Sequence, residues 1–215
     1  EQINNKAAKI HVKRFFGMIV VGFLMIVMLG LGYYYSAGQK MGESTVIVAV
    51  SGYLSVEQKT ALNEQFKAYA PENMEGLQLK IFEFPAANSD NAGQNTSEMF
   101  GELTAEIKNS QSNLILLDRN IYDMLGDETL FEDLSVRYPK DPAVNGKYLY
   151  AIKGKPFAMA QGLEGLPEMY LGLRNAKSSA VNHNAKTLQL YDQQCELLDN
   201  IIYSTPPYEH LDPQK

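Results

Sequence analysis

The 215-residue sequence contains one cysteine, no tryptophan and three histidines. Because a disulfide needs two cysteines, the single Cys195 excludes an internal cross-link, and the folded part of the chain must be stabilised by packing alone. Cys195 lies at helical spacing from Tyr191 and Leu198, which predicts a buried apolar side chain rather than a reactive thiol. The three histidines are widely dispersed along the chain, so the sequence predicts no zinc site.

Common catalytic motifs are also missing. The sequence has no GxxxxGK phosphate loop, no HExxH, no GxSxG and no CxxC. No nucleophile can be matched with a base from the sequence either. We therefore expect no cofactor, no resident metal and no catalysis, and an extracytoplasmic enzyme is the least favoured of three functional alternatives.

One long apolar run is present near the amino terminus. Residues 15–35, FFGMIVVGFLMIVMLGLGYYY, contain no charged side chain. As a helix they would be about 32 Å long, close to the roughly 30 Å hydrocarbon core of a bilayer. A secretory signal has a shorter apolar region, about 7–15 residues. Residues 15–35 are therefore predicted to be a transmembrane helix in contact with the lipid bilayer, and cleavage at the small residues 36–38 after export is left open as an alternative.

The charges that flank this run predict its orientation. Residues 1–14 carry four basic side chains and one acidic side chain, and such a basic leader is retained in the cytoplasm. Residues 36–215 then lie outside a single-pass cell-membrane anchor, with 15 basic and 24 acidic side chains and a net charge of −9. Nucleic acid is not an expected partner of this part, because phosphate binding needs a basic face.

The remainder of the chain predicts one α/β domain. Residues 36–44 are typical of a flexible tether, residues 45–204 of a folded domain and residues 205–215 of an extended tail. Short apolar runs alternate with helical patterns, and this order predicts a βαβαβ unit, a mostly parallel sheet with helices on both faces. The predicted strands are 45–50, 77–84 and 113–118, with a further strand at 168–174 and a long helix at 185–203.

Local signals set the ends of the first helix. Ser55 and Gln58 form a capping-box pattern that predicts the start of this helix, and Pro71 predicts its end.

Four passages of the sequence carry a likeness to a known family: TVIVAVSGY, LQLKIFEF, SNLILLDRNIYDMLGDETLFEDLS (residues 112–135) and the later YLYAI. In this order they resemble the first lobe of bacterial extracellular solute-binding proteins, the type II periplasmic-binding-protein fold. The likeness covers roughly residues 45–175, and it also extends to singly membrane-anchored bacterial proteins with one such lobe. It implies an α/β lobe with a binding function.

One departure limits what the resemblance implies. Only 80 residues follow Ser135, whereas a second lobe would need on the order of 100 residues of its own. A two-lobed trap is therefore not expected. We expect a non-enzymatic binding or accessory protein that engages a partner protein or a small ligand. The alternative is a solute-capturing subunit of a transport or sensing system, completed by a second chain.

Five residues are candidates for ligand binding. Ligands of a parallel α/β sheet bind beyond the carboxyl ends of the strands. Those ends carry Ser51, Gly52 and Tyr53 after the first strand, and Asp118 and Arg119 after the third.

Each candidate also has a purely structural interpretation. Asp118 can cap the helix that begins at Arg119, Ser51 and Gly52 can turn the chain, and Tyr53 can either stack on a ligand or cover the helix below it. A deep polar pocket at these residues would favour solute capture, and a flat apolar face would favour a partner protein.

Overall fold

The computed structural model describes residues 44–85, 92–175 and 184–205, together with Met25. The chain divides into two units, Glu1–Gly42 and Glu43–Lys215, and the fold described here is that of the second unit. The predicted leader, transmembrane helix and tether lie outside the described residues except for Met25 and Ser44, and so does nearly all of the predicted tail. Among the residues that are described, no helix is long and apolar enough to cross a membrane.

The described residues form an α/β domain with one six-stranded sheet. The strands are β1 (Thr45–Ser51), β2 (Gln78–Phe84), β3 (Leu114–Asp118), β4 (Val144–Asn145), β5 (Leu149–Ala151) and β6 (Met169–Leu173). The helices are α1 (Val56–Tyr69), α2 (Ala92–Asn109), α3 (Arg119–Leu125), α4 (Leu134–Arg137) and α5 (Ala185–Tyr203), with short 3-10 helices at Glu128–Leu130 and Pro156–Met159. The strand order across the sheet is β2-β1-β3-β6-β5-β4.

The prediction of a mostly parallel sheet is wrong, because the sheet is mixed. β1 pairs in parallel with β2 and β3, but β6 is antiparallel to β3, β5 to β6 and β4 to β5. Parallel neighbours need a crossover of a dozen or more residues, usually a helix, whereas antiparallel neighbours can be joined by a turn. The chain reverses between β4 and β5 within residues 146–148, where Gly146 and Lys147 have φ of 59° and 76°.

The βαβαβ half of the prediction is confirmed, and its helix ends follow the local signals. At the start of α1 the Ser55 side chain accepts from the Gln58 backbone N–H, and the Gln58 side chain accepts from the Ser55 backbone N–H. This reciprocal pair satisfies two amides that the first turn leaves free. The helix ends at Tyr69, two residues before Pro71, as predicted.

Two hydrophobic cores lie on opposite faces of the sheet. Successive side chains of a strand point to opposite faces, so Val46, Val48 and Val50 of β1 pack on one face, and Ile47 and Ala49 on the other. Side chains of α1 and α5 cover the first face, and side chains of α2 and α3 cover the second. The layering explains why residues 46–50 of β1 are all apolar, and it confirms the prediction of helices on both faces.

Helix α5 is bonded to the strand edge where β1 and β3 begin. The buried Gln194 accepts hydrogen bonds at Oε1 from the backbone N–H groups of Asn113 (2.6 Å) and Leu114 (2.7 Å). Its Nε2 donates to Oγ of Ser44 at 3.2 Å. The Gln194 side chain thus makes hydrogen bonds at the starts of both β1 and β3, which are far apart in sequence.

A buried arginine follows β6. Arg174 is 2% exposed, and its guanidinium donates to the carbonyl oxygens of Ile107 (2.8 Å) and Ser110 (2.6 Å) and to Oδ1 of Asn113 (2.9 Å). The two carbonyls lie at the carboxyl end of α2, where the helix dipole attracts a cation. Burial lowers the pKa of Arg174, and these acceptors offset the loss of water around the guanidinium.

Candidate functional site

The carboxyl ends of β1, β2 and β3 meet at one edge of the sheet, which we call the carboxyl edge. The antiparallel β6 begins at the same edge, because Met169 pairs with Asp118. β5 ends there, since Ala151 pairs with Tyr170. The predicted residues Ser51, Gly52, Tyr53, Asp118 and Arg119 therefore all lie along this edge, where an open α/β sheet offers its binding crevice.

Ser51 and Asp118 contact each other directly. The Asp118 carboxylate accepts from the Ser51 backbone N–H, from Ser51 Oγ (3.2 Å) and from the Ile121 backbone N–H (3.0 Å). The last of these bonds caps α3, which is the structural interpretation that the sequence left open. Asp118 is 3% exposed, so its oxygens are used within the chain, and a ligand contact at Asp118 stays a prediction.

Gly52 and Leu54 donate backbone hydrogen bonds to residues at the end of β2. Gly52, with φ of 107°, donates its N–H to the Phe84 carbonyl at 2.6 Å. The Leu54 N–H donates to Glu83 Oε1 at 2.6 Å, and Lys59 Nζ lies 2.8 Å from Glu83 Oε2. Partial burial opposes ionisation of Glu83, but the hydrogen bonds from Lys59 and Leu54 outweigh it and lower the pKa of this carboxyl.

Tyr53 is 76% exposed, so it does not cover the helix below it. Its ring remains available to solvent or to a partner, and stacking on a ligand stays a prediction.

The Arg119 side chain contacts three neighbouring residues. Its Nε lies 2.9 Å from Asp123 Oδ1, its Nη1 donates to Asn145 Oδ1 at 3.3 Å, and its guanidinium lies 5.4 Å from the centroid of the Tyr122 ring. The side chain is half exposed. A ligand contact at Arg119 would have to compete with these neighbours, and it too stays a prediction.

A cavity that the sequence did not predict opens at the same edge. It has a volume of about 250 Å³, and we call it the edge cavity. Its floor is made of buried apolar side chains, and its mouth of exposed residues. The floor includes Leu62, Leu116 and Met169, the side chains that cover it include Ile152, Phe157 and Leu163, and the mouth includes Lys153, Gly154, Pro167 and Glu168.

Residues 152–168, which connect β5 to β6, form the roof of the edge cavity and are fixed to the helices around it. Phe157 packs edge-on against Phe66 of α1, with the ring centroids 4.9 Å apart. Lys155 Nζ donates to the Ile202 carbonyl of α5 at 2.8 Å, and Gln58 Nε2 of α1 donates to the Glu164 carbonyl at 3.0 Å. These contacts reach two helices, so the cavity is held open by packed structure.

A close approach to α1 also shapes the roof. Gly162 has φ of 89°, and a Cβ at this position would lie 3.0 Å from the Cβ of Ala61. Only glycine combines this backbone conformation with so short a distance to the helix, which sets the height of the roof.

Two charged residues of opposite sign, Lys153 and Glu168, lie at the mouth. Burial, and after it the negative charge of the nearby Glu168, raise the pKa of Tyr170. Lys153 is exposed, and within the described part of the chain its ammonium has no hydrogen-bond or salt-bridge partner. The mouth of the edge cavity therefore presents one cation and one carboxylate.

A metal-ligand group and an exposed thiol are both absent from the described residues. These residues contain no group of three His, Cys, Asp or Glu side chains that could hold a metal ion. The buried Cys195 confirms the predicted apolar role, and burial is the main cause that raises the pKa of its thiol to about 11. All three histidines lie outside the described ranges.

Comparisons with known proteins leave the family open. No protein-family model matches the chain, and neither a curated protein nor a solved structure matches it. The likeness to solute-binding lobes therefore stays a prediction from the sequence.

Proposed function

We propose that the chain is a membrane-anchored, non-enzymatic binding protein whose α/β domain takes up a small solute in the edge cavity. The observation that carries this proposal is the position of the cavity. It opens at the carboxyl edge, where ligands of α/β sheets bind, and its floor is apolar with a few polar groups at the mouth. Its roof is already fixed to α1 and α5, so binding need not order a loop.

Thermal unfolding of the full chain in mild detergent tests the proposal. Without tryptophan, the 13 tyrosines supply the near-UV signal. A panel of sugars, amines, amino acids and carboxylic acids is added one class at a time. A ligand at 100 times its Kd stabilises the folded state by about 2.7 kcal/mol, which raises Tm by about 5–10 °C for a domain of this size.

A matched pair of variants ties any shift to the edge cavity. Ala158 lines the cavity, whereas Ala160, two residues further along the roof, does not. Both side chains are half buried. Ala158→Leu should remove the ligand-dependent rise in Tm, and Ala160→Leu should keep it. If no class of compound raises Tm, or if Ala158→Leu leaves the rise intact, solute binding in this cavity is wrong.

A partner protein is the second candidate, and two exposed side chains favour it. Tyr53 and Val56 are 76% and 78% exposed and lie close in sequence at the carboxyl edge. Exposed apolar side chains that lie together are typical of protein contacts. Purification in mild detergent should then retain a companion that Tyr53→Ser or Val56→Ser releases. A companion that both variants keep would exclude this surface.

The membrane part of the proposal rests on residues 15–35 and has its own test. Protease added to intact cells should digest residues 45–204 from outside if the basic leader stays in the cytoplasm. Protection until the cells are broken open would contradict this orientation.

A further inference from the structure

β2 (Gln78–Phe84) is the outermost strand on its side of the sheet, and among the described residues its only neighbouring strand is β1. The Gln78 N–H donates to the Ser44 carbonyl, and the Phe84 carbonyl accepts from the Gly52 N–H. Because successive residues of a strand direct their backbone groups to opposite sides, the even-numbered residues of β2 bond to β1. The residues whose N–H and C=O groups point away from the sheet are Leu79, Ile81 and Glu83.

This outer edge of β2 is open within the described part of the chain. The outward N–H and C=O groups of Leu79, Ile81 and Glu83 have no backbone partner there. Such an edge is a template for another strand, and proteins often block it with a lysine. The one lysine of β2, Lys80, is tied back to the helix of its own domain, with Nζ 2.5 Å from Oε2 of Glu106 in α2. The edge therefore lacks an unattached lysine that would repel a second strand.

The edge is complementary to itself in one register. Ile81 is the central residue of the seven in β2. When a second copy runs antiparallel with Ile81 opposite Ile81, Leu79 of each copy lies opposite Glu83 of the other. Each of these three residues then donates one hydrogen bond from each copy, which gives six between the copies. Every outward backbone group is paired, as a two-fold symmetric contact requires.

The side chains are compatible with the same register. Lys80 of each copy faces Phe82 of the other, on the side of the sheet where Lys80 Nζ already lies 5.6 Å from the centroid of the Phe82 ring. The half-buried Ile81 side chains meet at the centre and bury apolar surface. Moving the two-fold axis to Lys80 would place two lysines opposite each other, which is destabilising.

We propose that two copies of this chain associate antiparallel through β2, with the two-fold axis at Ile81, and join their six-stranded sheets into one continuous sheet. The occupant of the open edge is thus a second copy of the same strand. This inference goes beyond the proposed function, because no residue that lines the edge cavity belongs to β2. Each copy keeps its own cavity.

Disulfide cross-linking of the full chain in mild detergent tests the register. The single native cysteine, Cys195, is buried, so the unmodified chain serves as the background. Ile81→Cys places two thiols opposite each other with Cα atoms about 5.5 Å apart, which is within disulfide range. Oxidation should convert most of this variant into a covalent dimer. Leu79→Cys should stay monomeric, because its two copies lie roughly 14 Å apart along the strands. A mixture of Leu79→Cys and Glu83→Cys should cross-link.

A proline variant tests the hydrogen bonds. Proline is tolerated in an edge strand where its missing N–H would face outwards, so Ile81→Pro should keep the circular dichroism of the folded chain. It removes two of the six hydrogen bonds and should raise the dimer Kd, measured by sedimentation equilibrium, by at least about thirtyfold. Ile81→Val keeps the N–H and should leave this Kd nearly unchanged.

The opposite results would overturn the dimer. Equal cross-linking of Leu79→Cys and Ile81→Cys would contradict the register. A monomeric full chain, or a dimer Kd that a folded Ile81→Pro leaves unchanged, would exclude association through β2. If Ile81→Pro releases a different co-purifying protein, the edge binds a foreign strand and the second copy is wrong. The cross-links alone decide the question if Ile81→Pro does not fold. None of these results changes the test of the edge cavity with Ala158→Leu.

Discussion

Asp118 is the residue at which a structural role and a ligand role can be separated most sharply. Its carboxylate holds the Ser51 backbone N–H and caps α3 through the Ile121 N–H. Loss of an N-cap costs about 1 kcal/mol, and a buried N–H without an acceptor costs about 1–3 kcal/mol. Asp118→Ala should therefore lower the free energy of unfolding by about 2–4 kcal/mol.

Urea unfolding of the full chain, followed by tyrosine near-UV circular dichroism, measures this loss. Thermal unfolding gives a second measure of the loss. Because each kcal/mol lost lowers Tm by about 2–4 °C in a domain of this size, Tm should fall by roughly 5–15 °C. Asp118→Asn keeps an oxygen for one of the donors and should lose less. Asp123→Ala removes a carboxylate from the exposed face of the same helix and should change stability by at most about 0.5 kcal/mol.

A small loss of stability in Asp118→Ala would refute the structural role of this carboxylate. If Asp118→Ala lost less than about 0.5 kcal/mol, the carboxylate would not be holding β1 to α3, and its hydrogen bonds would not explain its burial. A ligand role at Asp118 would then become the better explanation of the acid at this position.

Three further predictions concern stability, pH and thiol reactivity. Arg174→Met should lower the free energy of unfolding in urea by about 2–4 kcal/mol, because two carbonyls at the end of α2 and the Asn113 side chain lose their donor. The pKa of Glu83 is lower in the folded state, so its contribution is present above the unfolded pKa and is lost as pH falls through the folded pKa. The stability difference between the unmodified chain and Glu83→Gln, measured in urea from pH 7 to pH 3, should therefore be constant down to about pH 4.5 and shrink below it. Cys195, whose thiol pKa is about 11, should resist Ellman's reagent at pH 8 in the folded chain and react rapidly in urea.

Each of these predictions has an opposite result that would count against it. An Arg174→Met variant as stable as the unmodified chain would mean that the carbonyls of α2 have other donors. A stability difference at Glu83 that grew towards low pH would reverse the assigned sign. Rapid labelling of Cys195 at pH 8 without denaturant would show an accessible thiol.

The parts of the fold that the sequence predicted are those with local signals. β1, β2 and β3 are short apolar runs bounded by turns, and the α1 capping box and Pro71 mark two helix ends within a few residues. The burial of Cys195 follows from the periodicity of α5. Such features depend on residues that are close together in sequence, so the sequence alone can predict them.

In the second half of the sheet, β6 lies within the predicted strand at 168–174, but β4 and β5 carried no comparable signal. β4 has two residues and β5 has three, too few to display an alternating pattern. Their antiparallel pairing depends on the turn at Gly146 and Lys147 and on a connection from 152 to 168 that forms a roof rather than a crossover helix.

The sequence predicted which residues meet at the carboxyl edge, but it did not predict the edge cavity, and none of the five candidate residues lines it. Strand order places Ser51 beside Asp118 at the carboxyl edge, as expected for the ends of adjacent parallel strands. The edge cavity, in contrast, draws its lining from positions between 62 and 169 that share no spacing. The packing of Phe157 against Phe66 helps to bring the roof over α1, and a contact of that kind has no signature in the sequence.

Methyl NMR of the full chain in mild detergent, with labelled methionine, tests the claim of an edge-cavity ligand site most directly. Met169 lies in the cavity floor, and the exposed Met124 on α3 serves as the reference. Each resonance is assigned by its Met→Leu variant. The panel compound that raises Tm most should shift the Met169 methyl resonance and leave that of Met124 unchanged. A compound that raises Tm while the Met169 resonance stays in place would contradict the account.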